Sequence, residues 1–131
     1  MDRTLAASTA AVILTGLILF QILLALGYPL GDAAWGGYYT VLPASLRIAS
    51  LLSACLYAAI IAIALTSAGF VRAPFAPGFV RIILWALTAL FFLGTLMNLA
   101  SQSIWERVIW APLAFALAAC CYILVRRPPR P

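Results

Sequence analysis

The stretch Asn98-Leu99-Ala100-Ser101-Gln102-Ser103-Ile104-Trp105-Glu106-Arg107 decides how the chain folds. It is the only place where amide, hydroxyl, acidic and basic side chains crowd together between two long apolar runs. Each run approaches the ~20 residues with which an α-helix crosses about 30 Å of hydrocarbon. The stretch therefore reads as the turn of a membrane-embedded helical hairpin. Within it, Ser103-Ile104-Trp105-Glu106 fits the S-x-x-E capping box, in which two side chains satisfy orphan amides at a helix start.

Working outward, the rest of the chain repeats this pattern. Of its 131 residues, 66% are hydrophobic and 8% charged, and the mean hydropathy is +1.14. That leaves too little polar surface to cover a soluble domain. Spans are predicted over about 9–27, 46–68, 81–100 and 104–125, with outer loops at 28–45 and 101–103, an inner loop at 69–80 and a basic tail at 126–131. The fold class is all-α: a single-domain, up-down bundle of four transmembrane helices with a longer first outer loop. The first span is read as a retained helix, because it is longer than the apolar core of a signal peptide and three more spans follow.

Missing residue types exclude much chemistry. With no His, imidazole bases, histidine-ligated haem and the usual zinc sites are absent. All eight basic residues are Arg, so no lysine can form a Schiff base. Cys55, Cys120 and Cys121 lie in apolar runs without C-x-x-C spacing and read as small core hydrophobes. No cofactor or metal is expected. The net charge of +5 is read as positive-inside anchoring and not as an affinity for nucleic acid.

Orientation follows from the arginines. In a four-span bundle Arg3, Arg72, Arg81, Arg126, Arg127 and Arg130 share one side, and Arg47 and Arg107 the other. Cytoplasmic loops carry the excess of basic residues, so both termini are predicted to be cytoplasmic. Asp32 and Glu106 then lie outside with Arg47 and Arg107, as two balanced acid–base pairs.

Within the spans, Gln21 is expected to bond a neighbouring helix. Ala54, Ala58 and Ala62, with a second row of Ala49, Ser53 and Tyr57, provide small-residue surfaces for close helix approach. Ala86, Leu90, Gly94 and Asn98 form one stripe that brings Asn98 and Ser101 to a common face. Arg47 at the start of a span matches the positive helix N-terminus poorly. It calls for Asp32 or Glu106 as an acidic partner, or for a lipid phosphate. Pro74, Pro77 and Gly78 break the inner connector, and Pro112 should bend the last span or leave the carbonyl near Val108 without a donor. In the first outer loop Gly36-Gly37 can reverse the chain through positive φ, while Tyr38 to Val41 has strand-like residues. A folded-back loop lying on the helix ends is expected.

The candidate site is the outer cluster of Asp32, Trp35, Tyr38, Arg47, Asn98, Ser101, Glu106 and Trp110, with Tyr39, Trp105 and Arg107 around it. Two readings stand. Glu106 caps its own helix, Arg107 reaches headgroups, and the aromatic residues form the interfacial belt. Alternatively, the cluster holds the head of a lipid or isoprenoid whose tail lies between the spans. The leading expectation is a non-catalytic protein that binds a lipid-like ligand or a membrane partner through its outer face. The alternative is a small enzyme on an apolar substrate, with Glu106 as acid or base. Transport ranks lower, because proton-coupled carriers place an acid deep in the membrane. Expected partners are the bilayer, a lipid-like ligand or a larger membrane complex; a homo-oligomer stays open.

Gly31-Asp32-Ala33-Ala34-Trp35-Gly36-Gly37, Leu42-Pro43 with Leu46-Arg47-Ile48-Ala49-Ser50, and Asn98 to Pro112 resemble a group of small, uncharacterised bacterial four-span integral membrane proteins. The resemblance covers most of the chain and implies a multi-pass protein of the bacterial cytoplasmic membrane, with no known activity or site. The small multidrug-resistance family is similar in size and span number, but its first-span glutamate has no counterpart beyond Gln21. Claudin-like proteins share a long first outer loop, but their paired loop cysteines are missing here.

Overall fold

The computed structural model describes residues 1–72 and 75–126; Pro74 and the tail residues Arg127, Pro128, Pro129, Arg130 and Pro131 lie outside the described residues. Four long helices organise the chain: α1 (Arg3–Leu26), α2 (Ala44–Ser67), α3 (Pro77–Ala100) and α4 (Ala111–Arg126), the last preceded by a π-helical turn at Glu106–Trp110. All four, counting the π turn with α4, are long and apolar enough to cross a membrane. No more than 33% of any span window is buried inside the protein. Most of the apolar side chains therefore face outward, where only lipid or another apolar surface can cover them. These are the features of a multi-pass membrane protein.

Local chemistry sets the helix ends. Asp2 caps α1, its carboxylate accepting the Leu5 N–H at 2.8 Å, so the helix starts well before the first apolar run. Gly27 ends α1 in the left-handed conformation (φ 90°), where a glycine has no Cβ penalty. Pro77 opens α3 in the first turn, where a missing N–H costs nothing. Ahead of Pro112 the helix widens, and the Ala111 N–H bonds the carbonyl of Glu106 five residues back. Sequence reasoning expected a bend or an orphan carbonyl at Pro112; the structure meets the problem with a π turn.

Packing is uneven. α1 runs along α2 and α3 along α4; the two pairs join through α1 and α4, while α2 and α3 barely touch. The main core gathers Ala6, Ala7, Ala10 and Leu14 of α1 with Leu84, Leu87 and Phe91 of α3 and Leu117, Cys120 and Leu124 of α4. Three alanines on α1 let the neighbouring backbones come close. Cys120 and Cys121 are core residues as expected, whereas Cys55 is exposed. Gln21 meets Tyr57 of α2, with its Oε1 buried and unpartnered. A second, smaller core of Leu24, Ala34 and Leu42 sits under the first long loop.

Candidate functional site

The loop from Tyr28 to Pro43 is the piece that builds the outer cluster. It folds back on itself through the Gly31 N–H, which donates to Thr40 O at 2.9 Å. Two 3-10 turns follow, Gly31–Ala33 and Trp35–Gly37, and among the described residues the strand-like Tyr38 to Val41 forms no strand. Trp35, Gly36 and Gly37 all take positive φ (53°, 83° and 75°), as expected for the two glycines. For Trp35 the conformation costs on the order of 1 kcal/mol. Its indole N–H donates to Ser50 Oγ of α2 at 3.2 Å, which holds it there.

The start of the fourth helical segment grips this loop by its backbone. Ser103 Oγ donates to Asp32 O at 2.7 Å, and Trp110 Nε1 donates to Ala33 O at 2.5 Å. The Gly36 N–H donates to Glu106 Oε1 at 2.9 Å. Glu106 and Trp110, four residues apart in the π turn, thus share the face turned to the loop. Phe20 of α1 packs on the Trp110 ring, with centroids 4.8 Å apart. Glycine is required where the loop passes closest. A Cβ on Gly31 would lie 2.1 Å from Tyr39 O, and one on Gly37 would lie 3.0 Å from Asp32 O and 3.1 Å from Ser103 Cβ.

The capping box is only half made. Ser103 Oγ does accept the Glu106 N–H, at 3.4 Å, but the Ser103 N–H goes to Ser101 Oγ instead of the glutamate. The carboxylate that should have reached back along its own helix crosses to Gly36. Glu106 is correspondingly buried, as is Ser103.

The expected acid–base pairs do not form. Among the described residues no ion pair links Asp32, Arg47, Glu106 or Arg107. Arg47 instead donates from Nε to Ala25 O at 2.8 Å, against the end of α1, where Gly27 leaves room for its guanidinium. A cation at a helix C-terminus meets unpaired carbonyls and the negative end of the dipole, which explains this partner better than a carboxylate. Asp32 is exposed, with Thr40 Oγ1 at 3.4 Å from its carboxylate; its contribution to the clasp is its backbone oxygen.

The structure therefore brings Asp32, Trp35, Ser101, Glu106 and Trp110 together, but mostly as fasteners of one loop. Tyr38 stands outward, 69% exposed, its ring folded over Gly36. Asn98 is half-buried, and its carbonyl accepts the Ser101 N–H at the end of α3. Sequence reasoning missed Ser103 as a link to the loop, Ser50 as the partner of Trp35, and the backbone groups of Ala33 and Gly36. The glycine spacing 31–36–37 was the available signal for close approach, but it does not say which helix approaches. Among the described residues no cluster of His, Cys, Asp or Glu could hold a metal. Compared with protein-family models, curated proteins and solved structures, the chain matches none.

Proposed function

We propose that the protein is a small, non-catalytic membrane protein whose outer face binds a lipid-like ligand or a membrane partner. One observation carries this reading: Ser103, Glu106 and Trp110 are engaged with the loop backbone, and the loop so fixed leaves Tyr38, Tyr39 and Val41 exposed, as Ile104 and Trp105 are at the start of the fourth helical segment. A rigid surface of aromatic anchors suits recognition, since few rotamers are frozen on contact. A catalytic role for Glu106 gains no support, because its carboxylate accepts from Gly36. In this reading the helices cross the bacterial cytoplasmic membrane up-down with both termini inside, supported by the six arginines assigned to that side against two.

The test is copurification followed by mass spectrometry. A lipid or a stoichiometric membrane partner should accompany the wild-type protein and be lost from the Tyr38→Ala, Trp105→Ala double variant. Retention by that variant of every companion seen with the wild type, or none in the wild type, overturns the outer-face reading. In a variant lacking its native cysteines, Ser103→Cys should react with an impermeant reagent added outside intact cells; reaction only after lysis overturns the orientation.

A further inference from the structure

The opposite end of the bundle carries a cavity of about 680 Å³ that the outer cluster does not explain. Arg3, Arg81 and Arg126 line it, together with Thr66, while Phe75, Val80, Leu84 and Leu124 form its apolar wall. Among the described residues the one acid in its lining is Asp2, whose carboxylate accepts the Leu5 N–H at the start of α1. The described lining residues so carry a net charge of +2 at neutral pH.

Two further observations say what kind of guest this space suits. α3 begins at the cavity, and among the described residues no side chain caps it by a hydrogen bond at the positive end of its dipole. Arg3 bridges two helix ends, donating from Nη1 to Leu124 O at 2.5 Å and from Nη2 to Ser67 O, and so forms a fixed cationic floor. Arg81 and Arg126 are exposed on α3 and α4, and the Arg126 guanidinium is 5.9 Å from the Tyr122 ring centroid. Donors and positive charge at one level, above an apolar wall that runs inward along the spans, match an amphiphilic anion better than a free one.

We propose that this cavity binds an anionic phospholipid, its phosphate held by Arg81 and Arg126 over Arg3. Its acyl chain would lie against Val80 and Leu84, where α2 and α3 barely touch. Basic recesses between transmembrane helices are suited to such headgroups, and each arginine near the surface changes affinity about fivefold. The proposal stands independently of the outer-face reading, since it shares no residue with it.

Native mass spectrometry of the detergent-solubilised protein tests it, with phosphatidylglycerol, phosphatidylcholine and inorganic phosphate as probes. The expected result is one phosphatidylglycerol retained in preference to phosphatidylcholine, about fivefold weaker in Arg81→Ala and about 30-fold weaker in Arg81→Ala, Arg126→Ala. Arg107→Ala removes the same charge at the other end and should leave binding intact. Equal loss in Arg107→Ala, equal retention of phosphatidylcholine, or displacement of the lipid by millimolar phosphate would each overturn the assignment. The first points to diffuse charge, the second to a nonselective groove, and the third to a free-anion site.

Discussion

The two ends of this bundle use their polar side chains in opposite ways. At the end proposed to face outward Ser103, Glu106 and Trp110 are all bound to the backbone of the loop between α1 and α2. At the end proposed to face inward Arg81 and Arg126 border an open cavity. One arginine at each end does similar work: Arg47 reaches a carbonyl at the end of α1, and Arg3 reaches carbonyls at the ends of α2 and α4. Beyond that the ends diverge. A cluster of polar side chains in a membrane protein is not by itself a site; what matters is whether its donors and acceptors already have partners. By that criterion the inner end, which looked in the sequence like mere charge bias, is the more open to a ligand, and the outer end is a clasp.

The largest expected effect comes from Gly31→Ala. The new Cβ would sit 2.1 Å from Tyr39 O, a backbone atom that can move only if the loop opens. Overpacking of this severity costs about 3 kcal/mol. Thermal unfolding in detergent should show a large loss, and limited proteolysis should cut between residues 28 and 43. If the two ends are as separate as their contacts indicate, phosphatidylglycerol retention at the inner end survives this change. Its loss together with the loop would dissolve the comparison.

Much of this architecture was legible, for reasons particular residues make plain. The four helices followed from hydropathy because lipid-facing surface must be apolar at every turn. Gly36 and Gly37 were read correctly because positive φ is a property of the residue itself. The loop's docking was not legible. Its bonds to Ser103 and Trp110 end on the backbone oxygens of Asp32 and Ala33, and every residue carries such an oxygen. Arg47 was recognised as misplaced at a helix start, yet its partner belongs to the preceding helix, brought near by the hairpin. At Pro112 the missing donor was foreseen but not the π turn, which depends on where Glu106 and Trp110 must aim. Arg3 read only as a charge because no periodicity marks a side chain that bridges two helix ends.

Glu106 gives the next effect in size and separates a clasp from a catalyst. Removing a buried, charge-assisted acceptor leaves the Gly36 N–H unpaired, so Glu106→Ala should cost about 2 kcal/mol. Glu106→Gln retains a carbonyl acceptor of similar reach and should lose less than half as much. Chemical denaturation measures both, and amide hydrogen exchange at Gly36 should rise in the alanine variant alone. Equal losses in both variants would mean that charge, and not the hydrogen bond to the loop, is what the site needs. The outer end would then no longer be merely structural.

Trp110→Phe should have the smallest effect, and it distinguishes the two ways in which that residue holds the loop. The tryptophan donates from Nε1 to Ala33 O and also packs its ring on Phe20 of α1. Phenylalanine retains an aromatic partner for Phe20 but has no donor, so Ala33 O is left to whatever water reaches the half-buried position. An ordinary neutral hydrogen bond contributes about 1 kcal/mol, and the offset ring contact about the same. Trp110→Phe should therefore lose about half of what Trp110→Ala loses, with melting curves as the measure and proteolysis of the loop as the local readout. The outcome bears directly on how the outer end is built. If phenylalanine is as damaging as alanine, the loop hangs on its polar bonds, and the small core of Leu24, Ala34 and Leu42 adds little. If phenylalanine is neutral, the apolar contact dominates and the hydrogen bonds select the loop's register more than they hold it.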